Sequence, residues 1–246
     1  MEESKLLTSK DNWFGRQSRG EIKSILFGDL FSKYFKKSKN KSCLEIGCVP
    51  GRFLAYICKN FGYFPEGIDY IKDTRKITGA TLSLNGLHKF EIYEGDFIKW
   101  EIPKQYDLVC SFGFIEHFEG DLNKQIVKKH IKLLKPGGKL IMDIPNFNYC
   151  QYLFHLMLNR EVLKTHNIKI MNLAYFKKIA ETYNLKTLHL DYYGGLFNYF
   201  GLNKNANFLQ RMVYNLLKVA ARKTRKLTRL NNRFFSPYIV FIAEKI

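Results

Sequence analysis

The chain is short of acid, has no paired cysteines and lacks any long apolar run. Only 22 of its 246 residues are Asp or Glu, against 40 Lys and Arg, for a formal charge of +18. This imbalance bears on partners rather than on fold: nucleic acid, an anionic membrane surface or a phosphorylated substrate, with a merely solvated basic surface as the plainer alternative. The cysteines, Cys43, Cys48, Cys58, Cys110 and Cys150, contain no C-x-x-C pair and no His-rich cluster accompanies them. That argues against a zinc site and a disulfide framework, so no metal is expected. Four of the five lie in or beside apolar runs, where free Cys behaves as a small hydrophobe, and a reducing, cytoplasmic setting follows. No stretch of roughly 18 apolar residues exists to span a bilayer. The opening MEESKLLTSKDNW also lacks the apolar core of a signal peptide.

What is present is an alternation. Apolar residues make up 46% of the chain and aromatics 15%, enough for a sizeable ring-rich core. Residues 1–20 carry no clear period and read as an arm. Ile22, Ile25, Leu26, Leu30, Phe31 and Tyr34 then fall at helical spacing over residues 21–36. Short apolar runs predict strands at Ser42–Ile46, Phe64–Ile68, Lys89–Tyr93, Asp107–Ser111 and Lys139–Ile144. Helices are predicted at Arg52–Phe61, Ile71–Leu84 and Asp121–Leu134, with Pro136 and two glycines turning the chain into the fifth strand. Strands alternating with helices imply β-α-β units and a doubly wound α/β sheet. Beyond Pro145 come an apolar stretch, Phe147–Leu158, an amphipathic helix at 172–183, and strands at Thr187–Tyr192 and Tyr238–Ala243. One domain is expected over 1–246. Its elaborations are an arm and helix (1–38), a candidate substrate lid (147–170) and a basic insertion (194–236).

Four strand ends carry chemistry. The first, LEIGCVPGRF, runs from a buried strand through Gly47 and Gly51 into a helix, and glycine lets a ligand approach the backbone there. Its Gly-x-x-x-Gly spacing lacks the third glycine of a dinucleotide fingerprint, which disfavours nicotinamide and flavin. The second, Gly67-Ile68-Asp69-Tyr70, places an acid 22 residues after Gly47, suited to a ribose diol or to a helix N-cap. The third is Glu94-Gly95-Asp96-Phe97, an adenine contact or a simple turn. The fourth, YDLVCSFGFIEHF, runs a central strand into a loop with Glu116 and His117.

In order and spacing these motifs resemble the class I S-adenosylmethionine-dependent methyltransferases over residues 40–146, of the small-molecule and sugar type (types 11 and 12). LLKPGGKLIMDIPN resembles the region that follows the fourth motif in that family. The resemblance implies a sheet of order 3-2-1-4-5-7-6 with strand 7 antiparallel, and S-adenosylmethionine as cofactor. It implies that Glu45 lies under the methionine end and that Gly47, Cys48 and Gly51 shape the turn against it. Asp69 would hold the ribose and Asp96 and Phe97 the adenine, with Ser111 and Phe112 beneath the cofactor and Phe53, Tyr70 and His117 also among the cofactor-binding residues. Val49 departs from the pattern, standing where many members carry glycine.

A hydroxyl acceptor needs a base. His117 is the first candidate, with His166 and Asp143 next; His155, in an apolar stretch, reads as a packed histidine. A residue that only positions the loop is the alternative for each. No Asn/Asp-Pro-Pro-Tyr/Phe sequence follows strand 4, and no Pro-Cys, which disfavours nucleobase amine and cytosine C5 methylation. Residues 145–200 resemble methyltransferases of bacterial surface-polysaccharide pathways. The acceptor expected is a small molecule or a lipid-linked or nucleotide-linked sugar. From Lys204 to Arg233 the chain holds nine Lys or Arg and no acid, a segment suited to an anionic membrane on its cytoplasmic face. RNA is the alternative partner, and a non-catalytic binding module a third reading.

Overall fold

The structure, a computed structural model, describes residues 20–101, 103–195, 202–203, 205–224 and 230–246. The expected arm, up to residue 19, lies outside the described residues, as do parts of the basic insertion.

Seven strands form one sheet of order β3-β2-β1-β4-β5-β7-β6, mixed, with β7 antiparallel and helices flanking it. They are β1 (Lys41–Ile46), β2 (Tyr63–Asp69), β3 (Glu91–Glu94), β4 (Tyr106–Phe112), β5 (Leu134–Pro145), β6 (Leu185–Tyr193) and β7 (Tyr238–Lys245). The helices are α1 (Gly28–Tyr34), α2 (Arg52–Phe61), α3 (Thr74–Leu84), α4 (Gly120–Lys132), α5 (Tyr149–Leu158), α6 (Glu161–Lys164), α7 (Leu173–Thr182) and α8 (Phe208–Thr224). The chain groups into two compact units. One holds Gly113–Gln125 and Met142–Ile242; the other holds the described residues up to Phe112, Ile126–Ile141 and Ala243–Ile246.

In the second of these units β1 is central, and Cys43 through Ile46 are all buried because strands pair with it on both sides. α2 buries Leu54, Ala55, Ile57, Cys58 and Phe61. It ends at Gly62, whose left-handed φ of 77° lets its N–H reach the Cys58 carbonyl at 2.9 Å.

Three boundaries differ most from expectation. The helix predicted over 21–36 is confined to Gly28–Tyr34, because Phe27 turns left-handed (φ 65°) as its ring goes into the core. There it meets Phe31, Phe53 and Phe112, so ring burial outweighs helix continuity. The third helix begins at Thr74, three residues late, after Asp73 at φ 63°; Asp69 is therefore not its N-cap. β5 begins at Leu134 and carries Pro136 and the glycines within it, with α4 stopping at Lys132.

In the other unit, α5 and α7 match the patterns read after Pro145, and β6 runs slightly longer than predicted. Among the described residues no helix is long and apolar enough to cross a membrane.

Candidate functional site

The first three strand ends are joined by main-chain hydrogen bonds. The N–H groups of Gly47 and Cys48 both reach the Ile68 carbonyl, at 2.9 and 3.2 Å, and the Gly95 N–H reaches the Asp69 carbonyl at 2.8 Å. Motifs separated by some twenty residues each thus become one edge. Asp69, almost fully buried, ties it further: one carboxylate oxygen accepts from Val49 N–H (3.0 Å), the other from Ile71 N–H (3.2 Å). Burial pushes the Asp69 carboxyl up from its usual range, and these main-chain donors pull it back. An ionised carboxylate has about four lone-pair sites, so the Val49, Ile71 and Tyr70 main-chain donors leave it able to accept from a ligand hydroxyl.

The turn requires its glycine. Gly51 sits at φ 88°, and a Cβ there would lie 2.8 Å from Thr78 Cγ2 and 3.3 Å from the Thr78 carbonyl. Gly67, on β2, faces Cys48 so closely that a Cβ would meet its side chain at 2.8 Å. Glu45 is buried below the turn and accepts from Leu54 N–H at 2.8 Å, satisfying one of the donors a helix start leaves unpaired. Burial pushes its carboxyl well above the usual range.

Phe53 and Phe112 stack at 3.9 Å with an interplanar angle of 15°. Ser111, opposite Ile46 of β1, is buried, and its Oγ has no hydrogen-bond partner among the described residues. Tyr70 is half-buried, with its hydroxyl pushed up to about 12 by burial and then by Asp69. Asp96 is exposed, and one oxygen closes a local turn with Ile98 N–H (2.9 Å). Phe97 is buried edge-on against His130 at 5.1 Å, with Lys129 Nζ 5.0 Å from its ring centre. The residues fit a nucleoside-bearing cofactor: a buried hydroxyl without a partner, a carboxylate with a spare acceptor site and a turn open to backbone approach.

The other unit holds the candidate acid–base residues. A 3₁₀ turn, Ile115–His117, buries Ile115, Glu116 and His117. The loop after α6 is clamped to it: Asn167 N–H donates to the Glu116 carbonyl (2.6 Å) and Asn167 Nδ2 to the Phe118 carbonyl (2.9 Å). His117 Nδ1 lies 2.8 Å from the Thr165 carbonyl. A carbonyl only accepts, so that nitrogen carries the proton. His166 Nδ1 is likewise 2.8 Å from the Val162 carbonyl. The two imidazole rings come to 4.5 Å, and His166 and His155 both pack on Phe147, at 4.8 and 4.1 Å.

Burial keeps this cluster neutral. It pushes His117 down to about 4 and His155 likewise to about 4. His166 falls to about 3, with the neighbouring His117 adding to the effect. Burial raises Asp143 to about 8, and pushes Glu116 well up with help from Asp143. Glu116 Oε1 is 3.9 Å from His117 Nε2, while Glu116 Oε2 and Asp143 Oδ1 are buried with no hydrogen-bond partner among the described residues. Glu116, His117 and His166 each offer one ligand atom within 4.8 Å of the others, the grouping of that kind found among the described residues. Three such atoms could hold a cation, a grouping that cysteine counting did not anticipate.

Asn167 and Asn123 escaped the sequence reading. Asn123 Nδ2 donates to the Ile115 carbonyl (2.8 Å) and its Oδ1 accepts from the Tyr175 hydroxyl (2.6 Å), which braces the 3₁₀ turn from α7. Nothing in the local pattern marks either asparagine; their roles exist only through partners 8 to 52 residues away.

Comparison with known proteins places the fold and the family. A family model described as a methyltransferase domain matches residues 16–190. A ubiquinone biosynthesis O-methyltransferase of Hydrogenovibrio crunogenus is 26% identical over 134 residues, 54% of each chain. The chain thus spans about half the length of that curated relative. Among solved structures, an S-adenosylmethionine-dependent methyltransferase from Archaeoglobus fulgidus aligns with TM-score 0.57 and 21% identity, covering 88% of this chain and 90% of that one. The geranyl diphosphate C-methyltransferase of Streptomyces coelicolor, solved with Mg2+, geranyl diphosphate and S-adenosyl-L-homocysteine, aligns with TM-score 0.57 and 10% identity, covering 89% and 78%.

Proposed function

The chain belongs to the S-adenosylmethionine-dependent methyltransferases, and from that premise we propose that it methylates an oxygen of a small molecule or of a lipid-linked or nucleotide-linked sugar. S-adenosylmethionine supplies an activated methyl group on a sulfonium, and the protein's task is alignment, which alone contributes several kcal/mol. In this reading Gly47, Cys48, Gly51 and Phe53 form the methionine end over Glu45. Asp69 and Tyr70 take the ribose, Asp96 and Phe97 the adenine, and Ser111 and Phe112 the floor.

The observation that carries the oxygen acceptor is the histidine cluster. His117 is neutral through the physiological range, with its Nδ1 proton committed to the Thr165 carbonyl and its Nε2 beside Glu116. Nε2 is the nitrogen assigned to take the hydroxyl proton, a contribution of about 10²–10⁴ in rate. Charging His117 alone is costly in this buried setting, and ionisation of the Glu116 carboxyl, 3.9 Å away, as His117 takes its proton would offset that cost. His166 and Asp143 are assigned to holding the acceptor and setting the local charge.

The similarity to a ubiquinone biosynthesis O-methyltransferase supports oxygen as acceptor, and the aromatic stretch after β5 supports a hydrophobic or lipid-linked one. The assigned location is cytoplasmic, with the 204–233 segment touching an anionic membrane where such an acceptor resides. RNA is the second reading, favoured by the nine cations and absent acids of that segment.

The test is incubation with methyl-labelled S-adenosylmethionine and a lysate of the source organism, followed by separation of lipid-glycan, RNA, protein and small-molecule fractions. Label in the lipid-glycan or small-molecule fraction, lost in His117→Ala, supports the reading. Label in RNA replaces it with the second.

A further inference from the structure

Exposed apolar surface is concentrated in one place. Of fifteen large apolar side chains standing exposed among the described residues, twelve lie on α5, α8 and the Phe234-Phe235 corner, all within one compact unit. Scattered exposed hydrophobes are ordinary; a contiguous set is not.

α5 turns Gln151, His155 and Leu158 inward and leaves Tyr149, Tyr152, Leu153, Leu156 and Met157 outward, with Leu153 61% exposed. These five recur at helical spacing on one face. α8 does the same with Phe208, Leu209, Met212, Leu216 and Val219, of which Phe208 is 82% and Leu216 66% exposed. At about 100° per residue these five span an arc of about 100°, with Arg211 and Lys218 exposed along one side of it.

The elements form a single surface. α5 and α8 pack on each other, with Gln210 Nε2 donating to the Met157 carbonyl at 2.7 Å and Asn203 N–H to the Leu158 carbonyl at 3.0 Å. The corner is tied on by Gln151 Nε2 to the Phe235 carbonyl (2.6 Å) and by the Tyr149 and Phe234 rings at 5.0 Å. The Arg233 guanidinium lies over both rings, 5.6 Å from Tyr149 and 4.7 Å from Phe234.

We propose that α5, α8 and the Phe234-Phe235 corner form a composite surface that docks on an anionic lipid leaflet, the apolar side chains entering the interface and the cations meeting the headgroups. It deepens the preceding reading, in which the acceptor is lipid-linked, and adds α5 as half of the surface. Charge complementarity selects the occupant: Arg211, Lys218 and Arg233 stand exposed beside the apolar side chains, and the sequence from Lys204 to Arg233 holds nine cations and no acid, the composition of an interfacial segment. A second protein copy would bring the same charge against itself, and RNA would leave the apolar side chains unburied.

The wild type and a Leu153→Asp/Leu216→Asp double variant are floated with phosphatidylcholine vesicles and with equal mixtures of phosphatidylcholine and phosphatidylglycerol, at low and high salt. Binding of S-adenosylmethionine to the same samples is measured by calorimetry. The wild type is expected to float with the mixed vesicles at least tenfold better than with neutral ones, and less well in high salt. The double variant is expected to lose that binding roughly tenfold while binding the cofactor normally, which shows it is folded. Equal flotation on both vesicles, or a double variant that binds as well as the wild type, overturns the proposal. So does a wild-type dimer that the double variant dissolves, which would make a second copy the occupant. Vesicle binding without cofactor binding would leave the docking surface standing and remove the enzymatic reading instead.

Discussion

The proposed cofactor edge and the histidine cluster are built by opposite means. Around Gly47, Asp69 and Gly95 the contacts are main-chain hydrogen bonds between ends of adjacent parallel strands, and the one side chain that spans them, Asp69, also bonds backbone. Around His117 the ring's Nδ1 is set by the Thr165 carbonyl of a loop 48 residues further on, held there by Asn167. The first region is rigid because the sheet makes it so. The second depends on a few side chains whose loss releases the loop. The difference matches their assigned tasks, since a shared cofactor can be met by fixed backbone, whereas an acceptor is chosen by side chains that can vary.

The largest expected effect breaks the second region's chemistry and leaves the first intact. His117→Ala should lower kcat by about 10²–10⁴ with the dissociation constant for S-adenosylmethionine unchanged, as read by single-turnover rates and calorimetry. A variant that loses cofactor affinity in step with rate would merge the two regions into one.

The reverse test is Asp69→Asn, which keeps the size but puts an NH2 where an acceptor is needed by Val49 or Ile71. Cofactor affinity should fall roughly tenfold to a hundredfold, the worth of one or two hydrogen bonds to a charged group. Unchanged affinity would remove Asp69 from the ribose.

Asp143 probes the electrostatics of the cluster. Its carboxyl is raised to about 8, so between the ordinary carboxylate range and that value the folded protein holds a proton that the unfolded chain releases. Stability attributable to Asp143 is therefore lost as pH rises through this window, at up to about 1.4 kcal/mol per unit. The histidines act in the opposite direction: held near 3 to 4 in the fold, they cost stability as pH falls below their ordinary range. Denaturant melts of wild type and Asp143→Asn between pH 6.5 and 8 should diverge with rising pH in favour of the variant; parallel curves would mean the carboxyl is ionised throughout.

Smaller still, Tyr175→Phe removes the hydrogen bond that braces Asn123 and should cost about 1 kcal/mol of stability with cofactor affinity unchanged. Finally, treatment with EDTA should leave the methylation rate as it was if Nε2 of His117 acts as base. A rate that falls and returns with a divalent cation would make Glu116, His117 and His166 its ligands.

Much of the fold was legible because parallel β-α-β units write themselves locally. The buried run of β1, the glycines closing its turn and the apolar spacing of α2 are all short-range, and their order in the chain restricts the sheet topology. Boundaries failed where a long-range contact overrode the local pattern. Phe27 breaks its helix because its ring has a place among Phe31, Phe53 and Phe112, and β5 runs back to Leu134 through a proline and two glycines that look like a stop. Phe147–Leu158 shows the same limit: its apolar residues read as part of a candidate lid, and the structure leaves five of them exposed beside α8.

The sequence by itself determined the strand–helix alternation, the doubly wound class and the three glycine- and acid-bearing strand ends, because each depends on residues within a few positions of one another. Only the tertiary structure decided that His166 joins His117, that Asn167 and Asn123 hold them, and that two separate apolar helices share one exposed face. Those are meetings of residues 48 to 53 positions apart, and periodicity carries no information about which distant faces the folded chain brings together.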